Sequence, residues 1–261
     1  MTLLCAPATA AVAAEADDLV GLSDDFDDGR TAGQWKLTTD EGWTADPFEL
    51  VDLGISLRGR MSLMPRASAW EGDRVGPFVF KEIAGDFVAT VKVKAGSRDG
   101  QTAPLSPSSL AGIMVRAPRK VSEKSWKPGG EDHLLAAIGS VDKGGEFQVK
   151  VQDTRGSVSR SRVSDAASGD AAFRLVRVGE ILIVLINASR LGWVVDRRVR
   201  RPDLPETLEV GMFGCTDART AARLPAAAHN FKGVKGGDPD LRAEFDYFRV
   251  RRPRLPTKLV G

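Results

Sequence analysis

The chain has 261 residues, of which 42% are hydrophobic and 28% are charged, and its formal net charge is +2. These values are ordinary for a globular protein, and a nearly neutral chain has no general attraction to nucleic acid or to a membrane surface. The length allows one large or two small domains, and all-β sandwiches of this size are commonly single domains.

The first 14 residues are rich in leucine, alanine and valine and end in small residues before Glu15. This pattern is typical of a signal peptidase site, so we predict a signal peptide over residues 1–14; because no basic segment precedes it, an alanine-rich tail is the alternative. Export predicts a periplasmic or extracellular location. Removal of the leader leaves Cys215 without a disulfide partner. No other run is long enough to cross a bilayer.

An acidic segment opens the mature chain, where Asp24, Asp25, Asp27 and Asp28 surround Phe26. We predict a first strand whose phenylalanine enters the core while the acids face solvent. The alternative is a calcium site, because Ca²⁺ prefers carboxylate oxygens. Apart from that alternative, the sequence predicts no cofactor and no metal ligand set.

Short apolar or alternating runs follow through the rest of the chain and predict strands. In chain order they cover residues 48–51, 54–58, 78–83, 86–95, 111–116, 133–141, 145–153, 173–178, 181–186, 192–200, 208–215 and 243–251. Residues 96–109 and 118–131 are rich in glycine, proline or polar residues and predict loops. Residues 157–168 predict an edge strand or a loop, and residues 218–239 a loop or a short helix. Many short strands with turn residues between them indicate one sandwich domain over residues 15–252, with a tail at 253–261.

The most apolar of these strands form a hairpin. Residues 173–178 and 181–186 are joined by Gly179 and Glu180, and glycine allows the positive φ that a two-residue turn needs. The second strand has no polar residue, so we expect it to be covered on both faces or to line a groove. We place this hairpin in the middle of a sheet.

Several blocks of the sequence, taken together and in order, resemble concanavalin A-like (laminin-G-like) sandwich domains of secreted bacterial proteins. They are Asp25-Phe26 with Trp35 after it, residues 83–87, 111–116, 173–179, 208–213 and 243–250. The resemblance implies an all-β, two-sheet antiparallel jelly roll with one concave face. Domains of this group are often attached to carbohydrate-active enzymes.

Two places bear on catalysis. Relatives often have an aspartate in the turn that corresponds to residues 187–193, and this chain has none there. Family 16 glycoside hydrolases use three acids on one strand, and the similar segment here has Glu244 and Asp246 but Phe248 at the third position. We therefore predict no catalytic residues.

We predict instead a non-catalytic module that binds a glycan or another extracellular ligand on the concave face. The period of two in residues 111–116 and 147–153 puts polar side chains on the face opposite the core, and two loop tryptophans rim that face. The predicted ligand-binding residues are Trp70, Arg116, Trp126, His133, Gln148 and Lys150. The alternatives are a polysaccharide hydrolase or lyase with other catalytic acids, and an interaction domain without a small ligand.

Two basic clusters, residues 197–201 and 249–254, have two interpretations. They are solvated strand ends, or they form a patch for an anionic polymer, which binds through salt-dependent attraction. No aromatic residue is interleaved with either cluster, which argues against nucleic acid as the partner.

Overall fold

The computed structural model describes residues 17–189 and 191–254. The predicted leader and residues 255–261 of the predicted tail lie outside the described residues. In the described part of the chain, no helix has the length and apolar character needed to cross a membrane.

The described residues form mainly strands. In chain order these are β1 (Lys36–Leu37), β2 (Phe48–Leu53), β3 (Met61–Pro65), β4 (Phe78–Ala84), β5 (Phe87–Gly96), β6 (Ser109–Arg116), β7 (His133–Ser140), β8 (Gln148–Arg155), β9 (Val158–Asp165), β10 (Asp170–Val178), β11 (Ile181–Asn187), β12 (Val194–Arg200), β13 (Thr207–Cys215) and β14 (Arg242–Arg251). Two short helices, α1 (Ala218–Ala221) and α2 (Ala226–Lys232), lie between β13 and β14.

The strands form two antiparallel sheets of seven strands each. Sheet I has the order β12-β11-β10-β5-β14-β3-β2, and sheet II has the order β1-β4-β13-β6-β7-β8-β9. The sheets pack face to face, which confirms the predicted all-β sandwich.

One apolar core fills the space between the sheets. Sheet I contributes side chains such as Phe173 and Phe245, and sheet II contributes Ile113, Val115 and Leu134, all fully buried. Each of these side chains stabilises the fold by about 1.5–3 kcal/mol relative to an exposed position. Along β5 and β10 every second residue points into this core, which is the alternation seen in the sequence.

The apolar hairpin forms as predicted by β10 and β11, with Val178 opposite Ile181 and a turn at Gly179, whose φ is +55°. Its place in the sheet differs from the prediction, because β11 is second from the edge of sheet I. The outward side chains of β11 are not covered by another layer: Ile183 is half-buried and Ile181 is 37% exposed. The apolar run therefore contributes to an open face of sheet I.

Other differences concern weak local signals. Residues 54–58 are a turn, and the strand lies at β3 instead. Residues 157–168 contain a full edge strand, β9, whose serines and arginines face solvent, as is typical of an edge that must not pair with another chain. Phe26 is fully buried in the core. It does not lie in a strand, and its own φ is +56°.

Candidate functional site

The outer face of sheet II holds four of the six predicted binding residues. Arg116 and His133 are direct partners across β6 and β7. Gln148 and Lys150 lie on β8 and alternate with the core residue Val149. The period of two therefore assigns these four side chains to the correct face.

This face is not an open groove, because a second apolar cluster covers most of it. We call the cluster the cover. It consists of Trp43, Trp70, Val75, Phe78, Phe80, Leu110, Met114, Leu135, Ala137, Val141, Phe213 and Cys215, with Val121, Trp126, Val163 and Phe231 packed against it. Most outward positions of β4, β6 and β13, such as Phe78, Met114 and Phe213, are apolar, and the loops and α2 bury them. The alternation of polar and apolar residues in β8 did not reveal that the outer face of the neighbouring strands is covered.

The two predicted tryptophans belong to the cover. Trp70 is 3% exposed, and its ring packs edge-on against His133 with centroids 5.6 Å apart. Its indole N–H donates to the Pro77 carbonyl at 3.3 Å. Trp126 is half-buried and packs edge-on against Phe231 at 5.8 Å. Both rings thus make protein contacts where the sequence predicted a rim.

His133 is fully buried and neutral. Burial, aided by the positive charges of Arg116 and Arg201, lowers the pKa of His133 to about 3. Its Nε2 accepts a hydrogen bond from the Gln152 amide at 3.2 Å. A ring that stays neutral over the physiological range suits a structural contact, and it cannot act as a general acid near pH 7.

Gln148 and Lys150 are half-buried and lie apart from Arg116. The side-chain amide oxygen of Gln148 accepts a hydrogen bond from the Asp142 backbone N–H at 3.5 Å, near the β7–β8 turn. Lys150 lies beside a cavity of about 20 Å³ lined also by Trp70 and Cys215. Such a volume holds about one water molecule and no sugar.

Arg116 is the centre of a buried ionic cluster. Its side chain is fully buried and contacts three carboxylates: Glu131 at 2.9 Å, Glu41 at 2.6 Å and Glu209 at 3.1 Å. Glu131, itself fully buried, also accepts from Arg119 at 2.8 Å. We call Arg116, Glu41, Glu131 and Glu209 the Arg116 cluster.

Two carboxylates of the Arg116 cluster, Glu41 and Glu209, have raised pKa values. Glu41 and Glu209 both contact the same nitrogen of Arg116, Nη1. Burial raises the pKa of Glu41, and burial together with the neighbouring charge of Glu41 raises the pKa of Glu209 to about 8. Glu41 Oε2 is buried and accepts no hydrogen bond from the described residues.

The Arg116 cluster forms part of the wall of a cleft. The cleft encloses about 520 Å³ and lies between β1, β4, β13 and the loop at residues 118–125. Its lining residues are Lys36, Asp40, Glu41, Phe80, Glu82, Pro118, Arg119, Lys120, Val121, Ser122, Ser125 and Glu209. None of the six predicted binding residues lines the cleft. Glu41 and Glu209 line it, and both contact Arg116.

The remaining sequence candidates make local contacts. Glu244 pairs with Arg60 and Arg242, and Asp246 pairs with Lys92, all on the outer face of sheet I. In the acidic opening segment, Asp24 accepts from the indole of Trp35 at 2.8 Å. Among residues 17–189 and 191–254, no group of three or more histidine, cysteine or acidic side chains is arranged to hold a metal ion.

Comparison with solved structures gives the fold. A protein of unknown function from Saccharomyces cerevisiae is 18% identical, with a TM-score of 0.59 over 85% of this chain and 98% of that one. A legume lectin-like domain from Entamoeba histolytica is 10% identical, with a TM-score of 0.50 over 86% of this chain and 92% of that one. The fold is the concanavalin A-like sandwich. This confirms the resemblance in the sequence.

This chain is also similar in fold to the GH43 protein BlXynB from Bacillus licheniformis, at 16% identity and a TM-score of 0.57 over 88% of this chain. This chain spans only 39% of that protein's length. No protein-family model and no curated protein matches the chain. The comparisons therefore fix the architecture, and the function has to be argued from the site.

The sequence analysis missed the carboxylates. Glu209 had a usable signal, because it is a charged residue within the apolar strand that runs from Leu208 to Cys215, and a buried charge needs a partner. Glu41 had no usable signal in the sequence, because it is 75 positions from Arg116 and only the fold brings the two residues together.

Proposed function

We propose that this protein is a non-catalytic glycan-binding module and that the ligand lies in the cleft of sheet II. The observation that carries the proposal is the lining of the cleft. Pro118 and Val121 supply apolar surface, and Ser122 and Ser125 supply hydroxyl groups. Sugars are recognised by this mixture of apolar surface and oriented polar groups, in clefts of roughly 300–1,000 Å³.

Charge at the cleft supports hydrogen bonding to sugar hydroxyls. Lys36 and Glu82 pair at 3.0 Å on the rim and are each about half exposed, so both can exchange their contact for a ligand hydroxyl. Glu41 and Glu209 add acceptor oxygens at the wall of the cleft. The similarity to a lectin-like domain and to glycoside hydrolases supports a carbohydrate ligand, and the predicted leader supports an extracellular one.

Arg116 has a positioning role in this proposal, because it holds Glu41 and Glu209 against the cleft. Trp70, Trp126, His133, Gln148 and Lys150 do not line the cleft. A direct ligand role for these five residues stays a prediction from the sequence.

A glycan array with two matched variants tests the proposal. Lys120→Trp places a large ring in the cleft from an exposed loop position, and Lys143→Trp makes the same change at the exposed β7–β8 turn, outside the cleft. We expect the wild type and Lys143→Trp to bind the same glycan and Lys120→Trp to lose it. Equal binding by all three proteins, or no glycan bound by the wild type, would contradict the proposal.

A second candidate function is hydrolysis of a glycosidic bond. It would use Glu41 and Glu209, the two carboxylates that line the cleft and contact the same nitrogen of Arg116. Because glycosidases hold their two carboxyl groups roughly 5–9.5 Å apart around the scissile bond, this function requires the pair to separate when the glycan binds. The test is release of reducing sugar from the glycan found on the array. Hydrolysis predicts that Glu209→Gln binds the glycan without cleaving it, and absence of release by the wild type would leave binding as the function.

A further inference from the structure

The outer face of sheet I carries three arginines in one groove. The groove encloses about 450 Å³ between the segment at residues 20–25 and strands β5, β10 and β14. Arg174, Arg249 and Arg251 line it together with Thr90 and Tyr247. This groove lies on the opposite side of the sandwich from the cleft of sheet II.

The register brings the arginines together. Thr90 on β5 is the direct partner of Arg174 on β10 and of Arg249 on β14. Val88, two residues earlier, is the partner of Arg251. The backbones of Arg174 and Arg249 are therefore about 10 Å apart, and their long side chains reach over the same part of the face.

Within the described part of the chain, two of the three arginines have no carboxylate partner. Among the described residues, neither Arg174 nor Arg251 forms an ion pair with a carboxylate, whereas Arg249 binds Asp25 at 3.1 Å. Arg174 donates only to the Thr90 hydroxyl, at 3.1 Å, and the pKa of Arg174 is lowered by burial and by the charge of Arg251. Asp24 also lines the groove, but its carboxylate is occupied by Trp35 and the Phe26 N–H.

Aromatic rings hold two of the guanidinium groups in place. Arg174 lies 4.3 Å from the ring centroid of Trp193, and Arg249 lies 4.4 Å from that of Tyr247. Stacked guanidinium groups lose less conformational freedom when they bind an oxyanion.

We propose that this groove binds an acidic sugar, whose carboxylate or sulfate lies between Arg174 and Arg251. An oxyanion there relieves the repulsion between these two side chains and accepts from both of them. The Tyr247 hydroxyl is available to hydroxyls of the same sugar, while Val20 and Val88 provide apolar contact. This site uses Arg249 and Arg251 of the second basic cluster, whereas Arg252 pairs with Asp18. In the first cluster, Arg201 is fully buried with carboxylates and Arg200 pairs with Glu180.

Isothermal titration calorimetry with three probes tests the site. Trigalacturonate carries carboxylates, a heparin disaccharide carries sulfates, and galactotriose is the neutral control. We expect saturable binding of at least one acidic probe, weakened by salt, and none of galactotriose. Absence of binding by both acidic probes, or equal binding of the neutral one, overturns the proposal. Equal affinity for a DNA oligonucleotide overturns the assignment to a sugar.

Matched variants separate a site from general charge attraction. Arg174→Gln/Arg251→Gln removes the two unpaired arginines, and Arg160→Gln/Lys143→Gln removes the same charge from exposed positions on β9 and the β7–β8 turn. We expect the first variant to weaken binding about tenfold or more and the second less than about twofold. The single variant Arg251→Gln, at an exposed position, is the control for misfolding of the double variant. Equal weakening by both double variants overturns the site, and Lys120→Trp leaves it unchanged because it blocks only the cleft.

Discussion

Arg116 determines the electrostatics of the outer face of sheet II. Three glutamates surround this fully buried guanidinium, and one further arginine, Arg119, reaches Glu131. A proton on a glutamate near pH 7 costs about 3–4 kcal/mol relative to water. Leaving an additional buried carboxylate ionised without its own cation costs several kcal/mol as well. The two costs are similar, so the pKa of Glu209 lies near neutral pH, at about 8.

Removal of one charge from the Arg116 cluster is expected to destabilise the protein. Glu131→Gln leaves Arg116 and Arg119 without their best acceptor, so we expect a loss of about 3–5 kcal/mol in the free energy of unfolding. Urea denaturation measures this loss. Glu146→Gln, at an exposed turn position, is the control and should change the free energy of unfolding by less than about 0.5 kcal/mol. Similar values for the two variants would show that the cluster contributes nothing.

The raised pKa of Glu209 predicts a pH dependence. Between the ordinary pKa of 4.5 and about 8, the folded protein holds a proton that the unfolded chain has released. The contribution of Glu209 to stability is therefore fully present below pH 4.5 and is lost as the pH rises towards 8.

Glu209→Gln imitates the protonated form and removes this dependence. We expect the variant to gain stability relative to the wild type as the pH rises from about 5 to about 8, measured by urea denaturation at a series of pH values. The contributions of other titrating groups cancel in the difference between the free energies of unfolding of the two proteins. A difference that is constant with pH would mean that Glu209 is ionised throughout.

At the scale of elements, the cover on sheet II is what local sequence patterns could not show. The hairpin of β10 and β11 was predictable because alternation and a glycine turn are local signals. The cover joins segments that are far apart in the chain. For example, the ring centroids of Trp43, in a loop, and Phe231, in α2, are 6.2 Å apart. The strand β3 was missed for a simpler reason, since its methionines and Pro65 are weak strand formers.

The same contrast explains the outcome for the binding residues. Alternation placed Arg116 and His133 on the correct face, but it carries no information about what lies on top of that face. The polar residues of the cleft, such as Lys36 and Ser125, lie in a short strand and a loop whose positions depend on the complete fold.

Trp70 provides a test of the cover. Because Trp70 is almost fully buried between Phe78 and His133, Trp70→Ala should cost about 3–5 kcal/mol in the free energy of unfolding. Trp193→Ala is the matched control, since Trp193 is 37% exposed and should cost clearly less. Thermal and urea unfolding compare the two. An equal cost for both variants would contradict the assignment of Trp70 to a second core.

At the scale of the whole molecule, the sandwich has two outer faces of different chemistry. Sheet II is largely covered and leaves a cleft lined by Glu41 and Glu209, and sheet I is open and leaves a groove lined by Arg174, Arg249 and Arg251. The core between the sheets separates the two sites, so a substitution in one should leave binding at the other unchanged. Such independence is expected for sites with no shared contacts.

The central claim, that the cleft of sheet II holds the glycan, is tested most directly by NMR. Backbone amide shifts of the isotope-labelled protein are followed while the glycan identified on the array is added. We predict saturable shifts concentrated at the cleft, at Lys36, Val121, Ser122 and Ser125, with the amides of β10 and β14 unchanged. Shifts confined to sheet I, or shifts near Trp70 and Lys150 without any at the cleft, would contradict the account.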